Sequence, residues 1–184
     1  MLPGMTVINT CDFNQTKAAT LEMSKHNGPV YLRFGRPKVP NFTDLNQKFE
    51  IGKGVKLLEG NDVTIVSTGH LVWESIIAAK ELSKEGIKAE VINIHTIKPL
   101  DEGIILNSLN KTNCVVSCEE HNIIGGLGES ISRLIVNNAL YPMEFVGVND
   151  SFGESGTPEQ LMKKYNLNYE NIKEKCKKVI SRKF

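Results

Sequence analysis

The chain has 184 residues, 40% of them hydrophobic, and sets 22 Lys+Arg against 21 Asp+Glu for a formal charge of +1. That size suits one domain, or one domain and a fragment, able to hide roughly 70% of the surface its unfolded chain exposes. The balanced charge lacks the basic footprint of a nucleic-acid binder, and no stretch approaches the ~20 apolar residues of a membrane span, so neither partner is expected.

The opening MLPGMTVINT has no charged n-region and no apolar run of signal type. Met5 to Thr10, rich in Val, Ile and Thr, predicts a strand, and Phe13 to Lys25 predicts a helix stopped by Asn27-Gly28. Pro29 to Phe34 reads as a second short strand running into Gly35-Arg36-Pro37, which completes a βαβ unit. Pro37, Pro40, Asn41, Thr43, Asp44 and Asn46 then give a linker composition and a domain boundary. A βαβ unit without the rest of its sheet leaves unpaired edges, so the first 40 residues are expected to be held more loosely than residue 47 onward.

Beyond the linker, Phe49 to Ile51 is expected as a short edge strand and Asp62 to Ser67 as a strand buried on both faces. Leu71 to Lys84 follows as a helix with Val72, Ile76 and Ala79 on one side and Gly86 as its stop. Ala89 to Ile94 is a strand, Asp101 the N-cap of a helix over Glu102 to Asn110, and Cys114 to Cys118 a strand. A glycine loop at Gly125 to Gly128 leads to a helix over Glu129 to Asn138, and Glu144 to Val148 closes the sheet. Thr157-Pro158-Glu159-Gln160 has the pattern of a capping box. The last helix, from Tyr169 to about Arg182, places Ile172, Cys176, Val179 and Ile180 on one face and Lys173, Lys175, Lys177 and Lys178 on a solvated one. Alternating strands and helices predict an α/β fold: three layers, α/β/α, with a mainly parallel sheet.

Cys11, Cys114, Cys118 and Cys176 form no CxxC pair and no zinc-type spacing. They read as buried thiols, with Cys114 and Cys118 on one face of a strand, in keeping with a reducing, cytoplasmic setting. The loop Ile124-Gly125-Gly126-Leu127-Gly128 stands where phosphate loops stand, but Ile131 holds the place of a third fingerprint glycine, and no GxxxxGK[ST] occurs. Glu119, Glu120 and Glu129 would repel an anion there, so tight backbone packing is the expected role. His121 follows two glutamates, and a neighbouring carboxylate favours protonated imidazole near neutral pH. Without a nucleophile nearby in sequence it reads as a hydrogen-bonded interface histidine, and so does His70 at another strand end, whereas His26 and His95 show no partner. No G-x-S-x-G or HExxH motif points to hydrolysis. Arg36, fixed between Gly35 and Pro37 at a strand end, suits bidentate contact with phosphate, the alternative being a surface arginine that opens the linker.

Four stretches in order carry a family resemblance: Gly28-Pro29-Val30-Tyr31-Leu32-Arg33-Phe34-Gly35-Arg36, Val63-Thr64-Ile65-Val66-Ser67-Thr68-Gly69-His70, Asn93-Ile94-His95-Thr96-Ile97-Lys98-Pro99-Leu100-Asp101, and Ser151-Phe152-Gly153-Glu154-Ser155-Gly156. They resemble the C-terminal half of transketolases, especially those encoded as two chains. The resemblance implies a remnant of the pyrimidine-binding domain at 1–40, a linker at 41–46 and a transketolase C-terminal-like domain at 47–184. It implies transfer of a two-carbon ketol unit between sugar phosphates, with thiamine diphosphate and Mg (or Ca) in the complete enzyme and neither bound by this chain alone. It also implies an N-terminal partner section, homodimer contacts, and Arg36 as the match to an arginine holding substrate phosphate. His70 and His121 become candidates for an interface or channel. The family's Gly-Asp-Gly metal motif is absent, and its cofactor-activating Glu and Thr-His-Gln motif would fall before Met1. The isolated chain is therefore expected to be inactive. The alternatives are a part of a 1-deoxyxylulose-5-phosphate synthase or 2-oxoacid dehydrogenase beta subunit, which share this domain order, and a non-catalytic assembly module. Phe152-Gly153-Glu154-Ser155 favours transketolase.

Overall fold

The computed structural model describes residues 2–183. Strand β1 (Thr6–Asn9), helix α1 (Phe13–Met23) and strand β2 (Val30–Arg33) form the expected βαβ unit, with Thr6 opposite Val30 and Asn9 opposite Arg33 in parallel register. Asp12 caps α1 by accepting from the Gln15 amide, and its carboxylate also accepts from the amides of Phe42 and Thr43. One side chain thus starts the helix and ties down the segment that follows β2. The helix stops short of Lys25, where the amides of Lys25 and His26 bond back three residues, to Glu22 and Met23, instead of four, and the Ser24 hydroxyl bonds the Leu21 carbonyl.

The remaining elements are β3 (Val55–Leu58), β4 (Val63–Ser67), α2 (Leu71–Lys84), β5 (Ala89–Asn93), β6 (Thr96–Lys98), α3 (Glu102–Thr112), β7 (Val115–Asn122), α4 (Leu127–Asn138), β8 (Met143–Val148), α5 (Pro158–Lys164) and α6 (Tyr169–Ile180). Five of the strands make a sheet in the order β3-β5-β4-β7-β8, parallel throughout except for β3, which runs antiparallel to β5. Alternate residues of the central strands feed two cores. Val63 and Ile65 pack with Leu71, Ile76, Ile172 and Val179 of α2 and α6, whereas Val66 and Ile92 pack with Ile105 and Leu109 of α3 and Leu127 and Ile131 of α4. The result is the three-layer α/β/α architecture with a mixed, mainly parallel sheet. Cys114, Val116 and Cys118 share the first core, and all four cysteines are buried and unpaired. Burial lifts the Cys118 thiol to about 12, so it stays neutral.

Four local expectations change. Phe49 to Ile51 forms no strand: Phe49 is buried with Ile8 and Ala19, its ring 4.1 Å from that of His95, and the edge strand forms at β3 instead. The three-residue β6 leaves the main sheet and pairs antiparallel with β1, with Val7 opposite Lys98 and Ile8 opposite Thr96. Strand β1 therefore has neighbours on both sides, and of the edges expected to be open that of β2 remains unpaired among the described residues. Strand β7 runs on through Asn122, held by pairing with Val148 of β8, so Glu119, Glu120 and His121 lie on a strand. Finally, the lysines of α6 are ion-paired: Lys175, Lys178 and Arg182 converge on Glu144, and Lys173 and Lys177 on Glu85. The capping box at Thr157 forms as read, with both reciprocal hydrogen bonds.

Candidate functional site

In an open α/β sheet the ligand crevice lies at the carboxyl ends of the strands where the strand order reverses. Here the chain passes from β4 to β5 on one side and returns to β7 on the other. The crevice residues are Thr68 and His70 after β4, and Glu119 to His121 in β7. The N-terminal βαβ unit packs against it. The Thr68 hydroxyl donates to the Asn9 carbonyl at 3.3 Å, and the Asn9 amide donates to the His95 carbonyl at 2.9 Å.

Arg33, the last residue of β2, closes this contact. Its Nη1 donates to Glu120 Oε1 at 2.5 Å and to Asn9 Oδ1 at 3.2 Å. The other Glu120 oxygen, Oε2, lies 2.9 Å from His70 Nδ1, and the side chains of Glu120 and His70 are each 11% exposed. Burial alone would raise the Glu120 carboxyl, but the His70 hydrogen bond and the Arg33 charge hold it below the ordinary range.

Glu119, one residue earlier, turns the other way. Its two oxygens accept from the amides of Leu127 at 2.8 Å and Gly128 at 2.9 Å, capping α4 from a separate strand. That cap explains why α4 begins at Leu127, ahead of the expected Glu129. A Cβ on Gly126 would lie 2.0 Å from Glu119 Oε2, so the tight packing expected of the glycine loop makes room for this carboxylate. Burial raises the Glu119 carboxyl against the opposing pull of the two amides, and the charge of Glu129 adds to the rise. The helix N-terminus, the place a bound phosphate would take, is already occupied by the Glu119 carboxyl. Among the described residues no group of three or more His, Cys, Asp or Glu is placed to hold a metal ion.

Arg36 is exposed in the turn after β2. Among the described residues it takes part in no ion pair, in contrast to Arg33. Its neighbours Gly35 and Pro37 line a cleft of about 480 Å³ together with Thr10, Asp12, Lys38 and His70. His70 therefore belongs to the Arg36 side of the molecule. His121 does not: it borders a second cleft of about 260 Å³ with Tyr31, Arg33 and Ile124. The neighbouring Glu120 charge raises its imidazole as the sequence suggests, but that effect is outweighed. Partial desolvation and the Arg33 charge hold its imidazole below the ordinary value, because Glu119 faces α4 and Glu120 is already engaged by Arg33 and His70. His95 is buried and lowered to about 4 by desolvation, with Nδ1 3.0 Å from the Thr96 hydroxyl, and His26 meets the Thr6 hydroxyl at 3.3 Å. The sequence reading missed Arg33 and Glu120. A charged residue inside a short, otherwise apolar strand was the available signal, since such a residue needs a buried partner.

Residues 52–172 match the family model described as the C-terminal domain of transketolase, and the chain belongs to that family. It is 42% identical over 182 residues to a 6-deoxy-6-sulfo-D-fructose transketolase subunit of Clostridium sp. (strain MSTE9), covering 99% of this chain and 56% of that one. It is 40% identical over 174 residues to a putative transketolase C-terminal section of Methanocaldococcus jannaschii, covering 93% of this chain and 54% of the relative. A solved split-gene transketolase, described as an inactive beta4 tetramer, superposes with a TM-score of 0.97 at 39% identity, over 100% of this chain and 60% of that one. The chain thus spans a little over half the length of these relatives.

Proposed function

We propose that this chain is the C-terminal section of a two-subunit transketolase that moves a two-carbon ketol unit between sugar phosphates, and that it is inactive without its N-terminal partner. The observation that carries the reading is Arg36, exposed and in no ion pair among the described residues, set between Gly35 and Pro37, which line the cleft at the ends of β1 and β2. A guanidinium fixed there grips a phosphate in fork geometry and turns the far end of the sugar toward a reacting centre supplied by the partner. Thiamine diphosphate, with Mg or Ca, would supply the carbanion chemistry from that partner. The division into 1–40, 41–46 and 47–184, with homodimer contacts in the assembled cytoplasmic enzyme, belongs to the same reading. The Clostridium relative is named for a 6-sulfo sugar. A sulfonate also offers three oxygens to a guanidinium, so both oxyanions belong in the test.

The experiment is reconstitution. This chain and a candidate N-terminal section are assayed apart and together, with thiamine diphosphate and Mg²⁺, for ketol transfer from xylulose 5-phosphate and from 6-deoxy-6-sulfo-fructose. Activity only in the mixture supports the reading. Activity of this chain alone, or a mixture that instead condenses pyruvate with glyceraldehyde 3-phosphate, overturns it.

A further inference from the structure

Arg36 sits on a turn without regular hydrogen bonding, yet its direction matters if it is to meet a phosphate. The support for that turn comes from the other side of the crevice. A Cβ built on Gly35 would lie 2.0 Å from both Cε1 and Nε2 of His70, so the imidazole occupies the space a side chain at position 35 would need. The ring cannot swing away freely, because Nδ1 is held by Glu120 at 2.9 Å. The same carboxylate takes Arg33 Nη1, three residues before Arg36 and on the strand that ends in this turn. The turn is therefore anchored twice through one carboxylate: by Arg33 along the chain and by the His70 ring against its backbone. His70 Nδ1 can donate to Glu120 from the neutral ring or from imidazolium, so the anchor does not depend on the protonation state of His70.

We propose that Glu120, through His70 and Arg33, is a positioning device for the turn Phe34–Pro37 and so for the Arg36 guanidinium, tuning how tightly the assembled enzyme holds a substrate oxyanion. This rests on the reading of Arg36 given above. The role assigned to the three side chains is to hold the turn, with Arg36 as the group that meets the oxyanion. A site that must hold its groups to within about half an ångström loses up to about a hundredfold when a supporting contact is removed, and a softened turn falls in the lower part of that range.

The test uses the reconstituted two-subunit enzyme and the variants Glu120→Gln, His70→Ala, Gly35→Ala and Arg36→Ala. Gly35→Ala keeps every charged side chain and pushes a methyl group into the imidazole, so it probes the contact without deleting a charge. Each of the first three should raise KM for a phosphorylated donor by roughly three- to tenfold while leaving kcat for hydroxypyruvate within about twofold. Combined with Arg36→Ala, His70→Ala should add nothing further. Amide exchange on the chain itself is the second readout: residues 34–38 should exchange faster in His70→Ala and Glu120→Gln, with Val63–Ser67 of β4 unchanged as the mark of an intact core. If Arg36→Ala is not selective for phosphorylated substrates, the phosphate reading falls and the positioning role with it. If Arg36→Ala is selective but the other variants leave KM or the exchange of 34–38 unchanged, or their losses add to it, the positioning device alone is overturned.

Discussion

Glu119 and Glu120 are consecutive residues of β7, and their carboxylates are held on opposite faces of the strand, one by the amides of Leu127 and Gly128 and the other by Arg33 and His70. Strand alternation alone produces this split. One face serves the domain's own helix α4 and the other serves the contact with the N-terminal unit.

The two carboxyls should therefore titrate apart, Glu119 above the ordinary value of about 4.3 and Glu120 below it. The signs for stability are opposite. Glu120 contributes stability that is fully present above its unfolded value and is lost as pH falls through its folded one. Glu119 is most favourable while protonated, so its contribution declines as pH rises from the unfolded value through its raised folded value. Carbon-detected NMR titration of the side-chain carboxyls checks the order, and Glu120 titrating above Glu119 would contradict it.

Glu144 gathers Lys175 at 3.0 Å, Lys178 at 3.0 Å and Arg182 at 2.6 Å, fastening α6 to β8. Burial opposes its ionisation, but Lys178 and Lys175 hold its carboxyl below the ordinary range. The cations themselves are partly exposed, 30%, 60% and 49%, so solvent screens each pair. Glu144→Ala should cost about 1–2 kcal/mol and lower Tm by roughly 2–8 °C. The deficit should be full at neutral pH and shrink as acid protonates the parent carboxylate. Calorimetry of parent and variant across that range decides it.

Asp12 is both the N-cap of α1 and the anchor of Phe42 and Thr43. Asp12→Ala should cost about 1 kcal/mol for the lost cap and about 1–3 kcal/mol more for amides left without partners. Limited proteolysis of the parent chain should cut first between Pro37 and Gln47, and in the variant that cut should come much sooner. A parent chain cleaved first within Val63–Ser67 would place the weak point elsewhere.

The elements around the five-stranded sheet were legible in the sequence because its strands are apolar runs, α2 shows apolar spacing stopped by Gly86, and α3 and α5 start at the side-chain caps Asp101 and Thr157. Helix α2 and the box at Thr157 match residue for residue. What the sequence hid depends on distant partners. Thr96–Lys98 becomes a strand only because β1 offers an edge, and its three residues carry no period of their own. Glu119 and Glu120 look alike in the sequence as two acidic residues before a glycine loop, and only the extension of β7 assigns one to α4 and one to Arg33. Arg36 could be picked out from its place between Gly35 and Pro37, but the His70 ring behind Gly35 could not, since His70 lies 35 positions further along the chain.

Arg36→Ala in the assembled enzyme is the test that bears most directly on function. Hydrogen bonds to charged groups are worth about 1.5–3 kcal/mol, so kcat/KM for phosphorylated substrates should fall by roughly 10- to 150-fold. Much of the loss should appear in KM, because a phosphate remote from the reacting carbons is held alike in the ground and transition states. Hydroxypyruvate, which has no phosphate for the guanidinium to grip, should lose far less when paired with an acceptor that also lacks one. Arg36→Lys should recover only part of the loss, since an ammonium keeps the charge without the planar fork. The side chain is exposed and lies outside the buried cores, so the variant should keep the parent's Tm, and a failure to fold would not account for the change. Steady-state kinetics on both donors then decides the matter: a selective loss assigns Arg36 to the substrate oxyanion, and equal losses make it a structural residue of the turn.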